Sequence, residues 1–291
     1  MFFVRLLSQR LLAISYLRVA RQVEIEALLY GALKYPSKEG EETPSYDLLP
    51  IVSLLDWTTA TDQFIKTGNG EALADLLNNN QSADETTKKL ADNINSISRG
   101  LQMLRPMDVM SASAELPEAI TEATPTISQE IPPFATLLKR VEADYSKFGL
   151  ANPQQDKNSV KASLVKQLQM IEWYIEKKEI VQALSLAREW LPSLICYHFE
   201  IDFLEHKNRT IAEGLLNGAK NEYWEKWESI SKNQRSPLIT VWGSGNKLAN
   251  LRNDVLHAGY RKDSRDAEDI LKETKEILNQ LKAIAKDWEI L

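Results

Sequence analysis

Apolar residues recur along this chain at steps of three and four, and that spacing decides its fold class. Leu90, Ile94, Ile97, Leu101 and Leu104 fall on one helical face by this count. Ser82 with Glu85 three residues on has the form of a capping box that starts this helix, and Pro106 should kink or end it. Phe134, Leu137, Leu138, Val141, Tyr145 and Phe148 make a second stripe, closed by Gly149 at the expected C′ position. Val160, Leu164, Leu168, Ile171 and Ile175 make a third. A fourth helix is expected from Glu179 to about Glu205, kinked or split at Pro192. The last runs from about Ser264 to the end and presents Ile270, Ile277, Leu281, Ile284 and Trp288. The expected class is mainly α.

One segment reads as strand. In Val23-Glu24-Ile25-Glu26-Ala27 apolar positions alternate with acids, and the run continues to Tyr30-Gly31. A lone strand needs partners, so either it is marginal or its sheet lies outside this sequence. Two segments read as linkers. Residues 36–46 are polar and proline-bounded. Residues 111–133 hold Pro117, Pro125, Pro132 and Pro133 among small and polar residues, which predicts an irregular stretch and the main domain boundary.

Composition removes several function classes. The single cysteine, Cys196, excludes an internal disulfide and any multi-cysteine zinc site, and three histidines leave little for a histidine-rich metal centre. A net charge of -6 argues against coating nucleic acid by bulk charge. No run of 18 apolar residues occurs, so no membrane-spanning helix is expected. From Phe2 to Val23 the chain carries Arg5, Arg10, Arg18 and Arg21 and no acid. That pattern fits an ordinary amphipathic helix, with an organellar presequence as the other reading.

Phosphate loops, dinucleotide fingerprints, His-Glu-x-x-His and Gly-x-Ser-x-Gly are all missing from the sequence. Gly243-Ser244-Gly245 reads as a turn that ends one helix and caps the next. The best candidate follows it, in Leu251-Arg252-Asn253-Asp254-Val255-Leu256-His257. A helix here has Leu248, Leu251 and Val255 as its core stripe. Asn253 and His257, four apart, share a face that the long Arg252 side chain can reach. A permanent cation beside an imidazole suits phosphoryl chemistry: the guanidinium stabilises negative charge on pentavalent phosphorus, and the imidazole moves a proton near neutral pH.

The spacing alone is weak. Thirteen arginines and three histidines produce an Arg-x4-His match by chance in roughly one such chain in eight. Local charge strengthens it: residues 232–265 are net +5, while the rest of the chain is net -11. A basic field in an acidic protein is what an RNA-binding cleft requires, and a solvated basic face is the plainer alternative. His198, in an apolar helix, reads as a core or rim residue. His206 reads as lying at a helix end where positive charge is favourable. Trp173, Trp190, Trp224, Trp227 and Trp242 read as core rather than as base-stacking platforms.

Arg252-Asn253 with His257, on a helix of an all-α region, resembles the HEPN ribonucleases. Upstream, Val23-Glu24-Ile25-Glu26-Ala27 with Tyr30-Gly31-Ala32-Leu33 looks like the last sensor strand of the CRISPR-associated DxTHG-motif proteins. Asp47-Leu48-Leu49-Pro50, Leu55-Asp56-Trp57 and Phe64 through Lys66-Thr67-Gly68 are similar to the same family. So is Ala183-Leu184-Ser185-Leu186-Ala187-Arg188-Glu189-Trp190. The resemblance runs from about residue 10 to about residue 288.

It implies a protein of type III CRISPR antiviral defence, with a Rossmann-like CARF sensor for cyclic oligoadenylate followed by a HEPN ribonuclease. Two copies would pair, and cleavage would need no metal or other cofactor. Arg252 would stabilise the phosphorane, His257 would transfer a proton and Asn253 would orient the site. Lys247, Arg261 and Lys262 are the candidate RNA-contacting cations. The implied organisation is a CARF remnant at 1–35, a helical connector at 36–132 and a HEPN domain at 133–291. The family's Asp-x-Thr-His-Gly motif is absent, since no histidine precedes His198. Most of the sensor sheet is therefore expected to be missing, and with it control by cyclic oligoadenylate. The expected partners are single-stranded RNA and a second copy, with no membrane and no stable DNA partner, in the cytoplasm. A non-catalytic RNA-binding or dimerising module is the alternative.

Overall fold

The computed structural model describes residues 13, 14, 16, 25, 27–31, 44–243, 248–260, 262 and 264–291. The described residues are mainly helical, with thirteen helices and one two-stranded ladder, as the periodicity predicts. Contacts divide the chain into two compact units, residues 1–62 and 63–291.

In the first unit, β1 (Leu29–Gly31) pairs antiparallel with β2 (Ser45–Asp47), Tyr30 opposite Tyr46. The strand partner therefore lies within this chain, inside the segment read as a polar linker. A strand of only Ser45, Tyr46 and Asp47 is too short to show alternation. Ile25 and Ala27 are outside the ladder, and Val23, Glu24 and Glu26 are outside the described residues. So is the arginine-rich stretch, apart from Ala13, Ile14 and Tyr16. Helix α1 (Leu49–Thr67) follows β2 and runs past the division between the units.

The second unit opens with α2 (Glu71–Asn78), α3 (Glu85–Gln102) and α4 (Pro106–Glu130). Leu90, Ile94, Ile97 and Leu101 of the α3 stripe are buried as expected, while Leu104 lies past the helix end and is half-buried, and the N-cap is Asp84, not Ser82. Asp84 Oδ1 accepts from the Thr87 N–H at 2.8 Å, and Oδ2 accepts from the Thr126 hydroxyl at 2.6 Å. One carboxylate thus caps α3 and pins it to the far end of α4. Pro106 ends the α3 segment by opening α4 at its first turn, where the missing N–H costs nothing.

The irregular stretch expected at 111–133 is mostly α4, which contains Pro117 and Pro125. Each internal proline costs about 3 kcal/mol of helix propensity. Burial of Val109, Met110, Leu116, Ala119, Ile120, Ala123 and Ile127 against neighbouring helices outweighs it. Gly100 lets the two helices of this hairpin close: a Cβ there would come within 2.8 Å of Val109 Cγ2.

The second stripe is broken into α5 (Pro132–Ala135), α6 (Leu138–Tyr145) and a 3-10 turn (Ser146–Phe148). Gly149 has φ -57, so it is not a left-handed C′ residue. Its requirement is space, since a Cβ would meet the Ser113 and Ser146 carbonyl oxygens at 3.1 Å. Helices α7 (Lys157–Glu176) and α8 (Ile180–Phe199) then form the centre of the unit. The split expected at Pro192 does not occur, and α8 stops at Phe199. Buried residues on nearly all its sides, from Ala183 to Phe199, hold it together. Around it lie α9 (His206–Leu216), α11 (Lys232–Trp242), α12 (Leu248–Leu256) and α13 (Ala267–Asp287), with the short α10 (Trp224–Ser229) between α9 and α11 in sequence.

Buried aromatic side chains donate to carbonyls at two helix ends and to one inside α7. Tyr145 donates to the Gly68 carbonyl past the end of α1, and Tyr174 donates to the Leu101 carbonyl at the end of α3, both at 2.6 Å. Trp190 Nε1 donates to the Leu164 carbonyl at 3.0 Å. Gly68 has φ +72 and faces the Trp173 ring, with no room for a Cβ.

Two substitutions check these ties. Asp84→Ala should cost about 1 kcal/mol in urea unfolding while Asp84→Asn, still a good cap, costs less; equal losses would contradict the capping role. Tyr145→Phe leaves the Gly68 carbonyl unpaired in the core and should cost about 1–3 kcal/mol by the same measurement.

Candidate functional site

Helix α12 is nine residues long and carries Arg252 and Asn253. Leu248 and Leu251 are fully buried and the helix packs on α8, which fixes its orientation. The third inward position is Asp254, at 1% exposure, whereas Val255 is half-buried. The sequence stripe therefore drifts by one residue at its end.

The helix closes on His257. The Ala258 N–H donates to the Val255 carbonyl at 3.1 Å, and the Gly259 N–H donates to the Asp254 carbonyl at 3.0 Å. With φ +54 at Ala258, this pattern is a Schellman motif whose C-cap residue is His257. The His257 N–H donates to the Asn253 carbonyl at 2.9 Å, so the imidazole stands one turn beyond Asn253 on a closed helix end. Its side chain is exposed. The imidazole has no hydrogen-bond partner among the described residues.

Arg252 is half-buried and donates through Nη1 to Asn253 Oδ1 at 3.1 Å. Its Nε is buried with no acceptor. No carboxylate neutralises this guanidinium among the described residues. Burying a donor of a charged group without a partner is costly, and the part of the guanidinium that stays exposed is a charge that an anionic oxygen would complement.

The structure thus brings Arg252 and Asn253 together directly and sets His257 one turn away. Lys262 is exposed, and Lys247 and Arg261 lie outside the described residues, as do Ser244 and Gly245 of the glycine turn. Gly243 ends α11, as read from sequence.

The basic field is weaker than the sequence count implies. Arg235 is paired with Glu228, and Arg265 donates through Nε to Glu273 Oε1 at 2.8 Å. Both acids lie outside the 232–265 window, so a local count missed them. Sequence reading also missed Asp254, whose Oδ2 accepts from the Arg265 backbone N–H at 3.0 Å. Its signal was available: Asp254 is three residues from Leu251, which is three from Leu248.

Other candidates fall away. Trp173, Trp190, Trp227 and Trp242 are buried and Trp224 is half-buried. Burial pushes the Cys196 thiol up to about 11, away from nucleophilic use at neutral pH. His206 opens α9 instead of ending a helix, so the favourable dipole placement read from sequence does not hold. His198 is a rim residue, its ring edge-on to Trp288 with centroids 4.8 Å apart. Desolvation of its inner side, then the nearby Lys226 and Lys157, hold its imidazole below the usual range.

Residues 53–159 match the family model described as CRISPR-associated protein MJ1674, second domain. The match supports a CRISPR-associated protein. It extends from α1 to the start of α7, ahead of the residues that carry Arg252 and His257. No curated protein matches the chain. No described helix is long and apolar enough to cross a membrane.

The lowered His198 has a pH consequence. The unfolded chain takes up this proton near pH 6.5 and the folded chain only at lower pH, so stability is full above about 6.5 and falls as pH drops. The melting temperature should therefore fall less between pH 7 and pH 5 in His198→Phe than in the unmutated protein; identical slopes would contradict the assignment.

Proposed function

We propose that the chain is a HEPN-type endoribonuclease of a CRISPR defence system, cutting single-stranded RNA without a metal. The observation that carries this reading is the half-buried Arg252 guanidinium, which no carboxylate neutralises among the described residues, held beside Asn253 and one turn from an exposed imidazole. A phosphodiester supplies the negative charge that would answer this half-exposed guanidinium. The RNA 2′-oxygen gives up its proton and attacks the adjacent phosphorus while the bond to the 5′-oxygen breaks. That oxygen takes a proton, leaving a 2′,3′-cyclic phosphate and a 5′-hydroxyl. His257 moves a proton, Arg252 stabilises the charge on the phosphorane, and Asn253 orients the guanidinium. Lys247, Arg261 and Lys262 contact the RNA backbone.

A second copy completes the site in this reading. Leu256 at 43% exposure and Tyr260 at 91% flank His257 with apolar surface that a symmetric partner would cover. The ladder of residues 29–31 and 45–47 is read as part of a CARF-like sensor, and the protein as acting in the cytoplasm.

The test is cleavage of a fluorogenic single-stranded RNA, with chelator present, by the protein and by its His257→Ala variant. Activity in the first and a loss of about 100-fold or more in the second is the expected result. Silence in both overturns the nuclease and favours an RNA-binding or dimerising module.

A further inference from the structure

We infer that Asp254 is the positioning residue of the Arg252–His257 site, an inference that rests on the nuclease reading above. Asp254 points into the protein from the helix that carries Arg252 and Asn253. Its Oδ2 accepts from the Arg265 backbone N–H at 3.0 Å and lies 3.9 Å from the Arg265 Nη1. Arg265 passes the link on through Nε to Glu273 in α13, at 2.8 Å. A carboxylate–guanidinium–carboxylate chain therefore joins α12 to α13.

The main chain of the same residue holds the other side of His257. The Asp254 carbonyl accepts from the Gly259 N–H at 3.0 Å, the bond of the helix-closing motif that spans more residues. Asp254 thus has two attachments, one to the turn just past His257 and one to Arg265 beyond it. Their joint effect is to fix the direction in which the helix end, and His257 on it, leaves the core.

Stability does not account for a carboxylate here. Its position is in phase with Leu248 and Leu251, where a leucine would fill core without desolvating a charge. Asp254 Oδ1 is buried with no partner, and Glu273 Oε2 at the other end of the chain is as well. Each unsatisfied oxygen is a cost, and buried ion chains of this kind are often no more stable than apolar replacements. What the chain supplies is direction: an N–H and a guanidinium held by one carboxylate give a single arrangement, while apolar contact tolerates several.

The experiment compares Asp254→Ala and Asp254→Asn with the unmutated protein, in RNA cleavage and in the imidazole NMR signals. The protein has three histidines, so loss of one signal set in His257→Ala assigns His257. Asp254→Ala should lower kcat by about 100-fold with KM within about twofold, because a misplaced proton-transfer group costs rate without costing binding. Asp254→Asn keeps an acceptor for the Arg265 N–H and should recover part of that loss. The His257 signals should move in Asp254→Ala while those of His198 and His206 stay. If Asp254→Ala does not fold, the isosteric Asp254→Asn carries both measurements. Unchanged kcat, or a raised KM with kcat intact, overturns the positioning role while leaving the nuclease standing. Should the unmutated protein not cleave RNA, the nuclease reading falls by itself. The His257 signals then decide: stationary signals overturn the role of Asp254, and displaced ones uphold it.

Discussion

A helical protein must find donors for the carbonyls at each helix end that does not reach water, and in this fold aromatic side chains supply them. Tyr145 and Tyr174 come from α6 and α7 and close the ends of α1 and α3. Each phenol has to be buried to reach its carbonyl, which fixes how deeply its helix sits. The packing of Phe64 edge-on to Tyr145, and of Trp173 on Tyr174 and Phe148, follows from those placements. Gly68 belongs to the same arrangement, because only a residue without a Cβ lets the α1 end approach Trp173.

The candidate site uses the opposite device. Arg252 keeps a buried donor unanswered, and its neighbouring cations Arg235 and Arg265 are already matched to Glu228 and Glu273. With Lys262 exposed and these two arginines paired, the positive charge rests on fewer groups than a count over residues 232–265 implies. The family match rests on residues 53–159, and the site rests on α12.

Helix existence was legible in sequence wherever a core stripe repeats three or more times, as in α3, α7 and α13. Helix ends were not. Leu104, Lys178, Glu200, Ala258 and Glu289 all hold the left-handed conformation at which a reader looks for glycine, while Gly149, chosen for that role, does not. Residue type fails as a marker because packing of the following element overrides a penalty of about 1–2 kcal/mol. Pro117 and Pro125 misled for the same reason, their cost being outweighed by a buried stripe that small residues made inconspicuous. That Arg252 and Asn253 share a helix with His257 at its end was legible in sequence. Asp254 was not, because a carboxylate is discounted when core positions are counted.

The α3–α4 hairpin, closed by the three residues 103–105, also bears on how the protein is made. Its contacts join residues near one another in the chain, so it can form while the ribosome is still at work. Helix α12 docks on α8, some sixty residues back, and its ionic chain ends in α13, the last helix. Synthesis therefore runs for most of its course with a folded amino-terminal hairpin and an unfinished Arg252 locus. A chain nascent on the ribosome would carry a closed hairpin well before the Asp254 and Glu273 carboxylates could meet Arg265 between them.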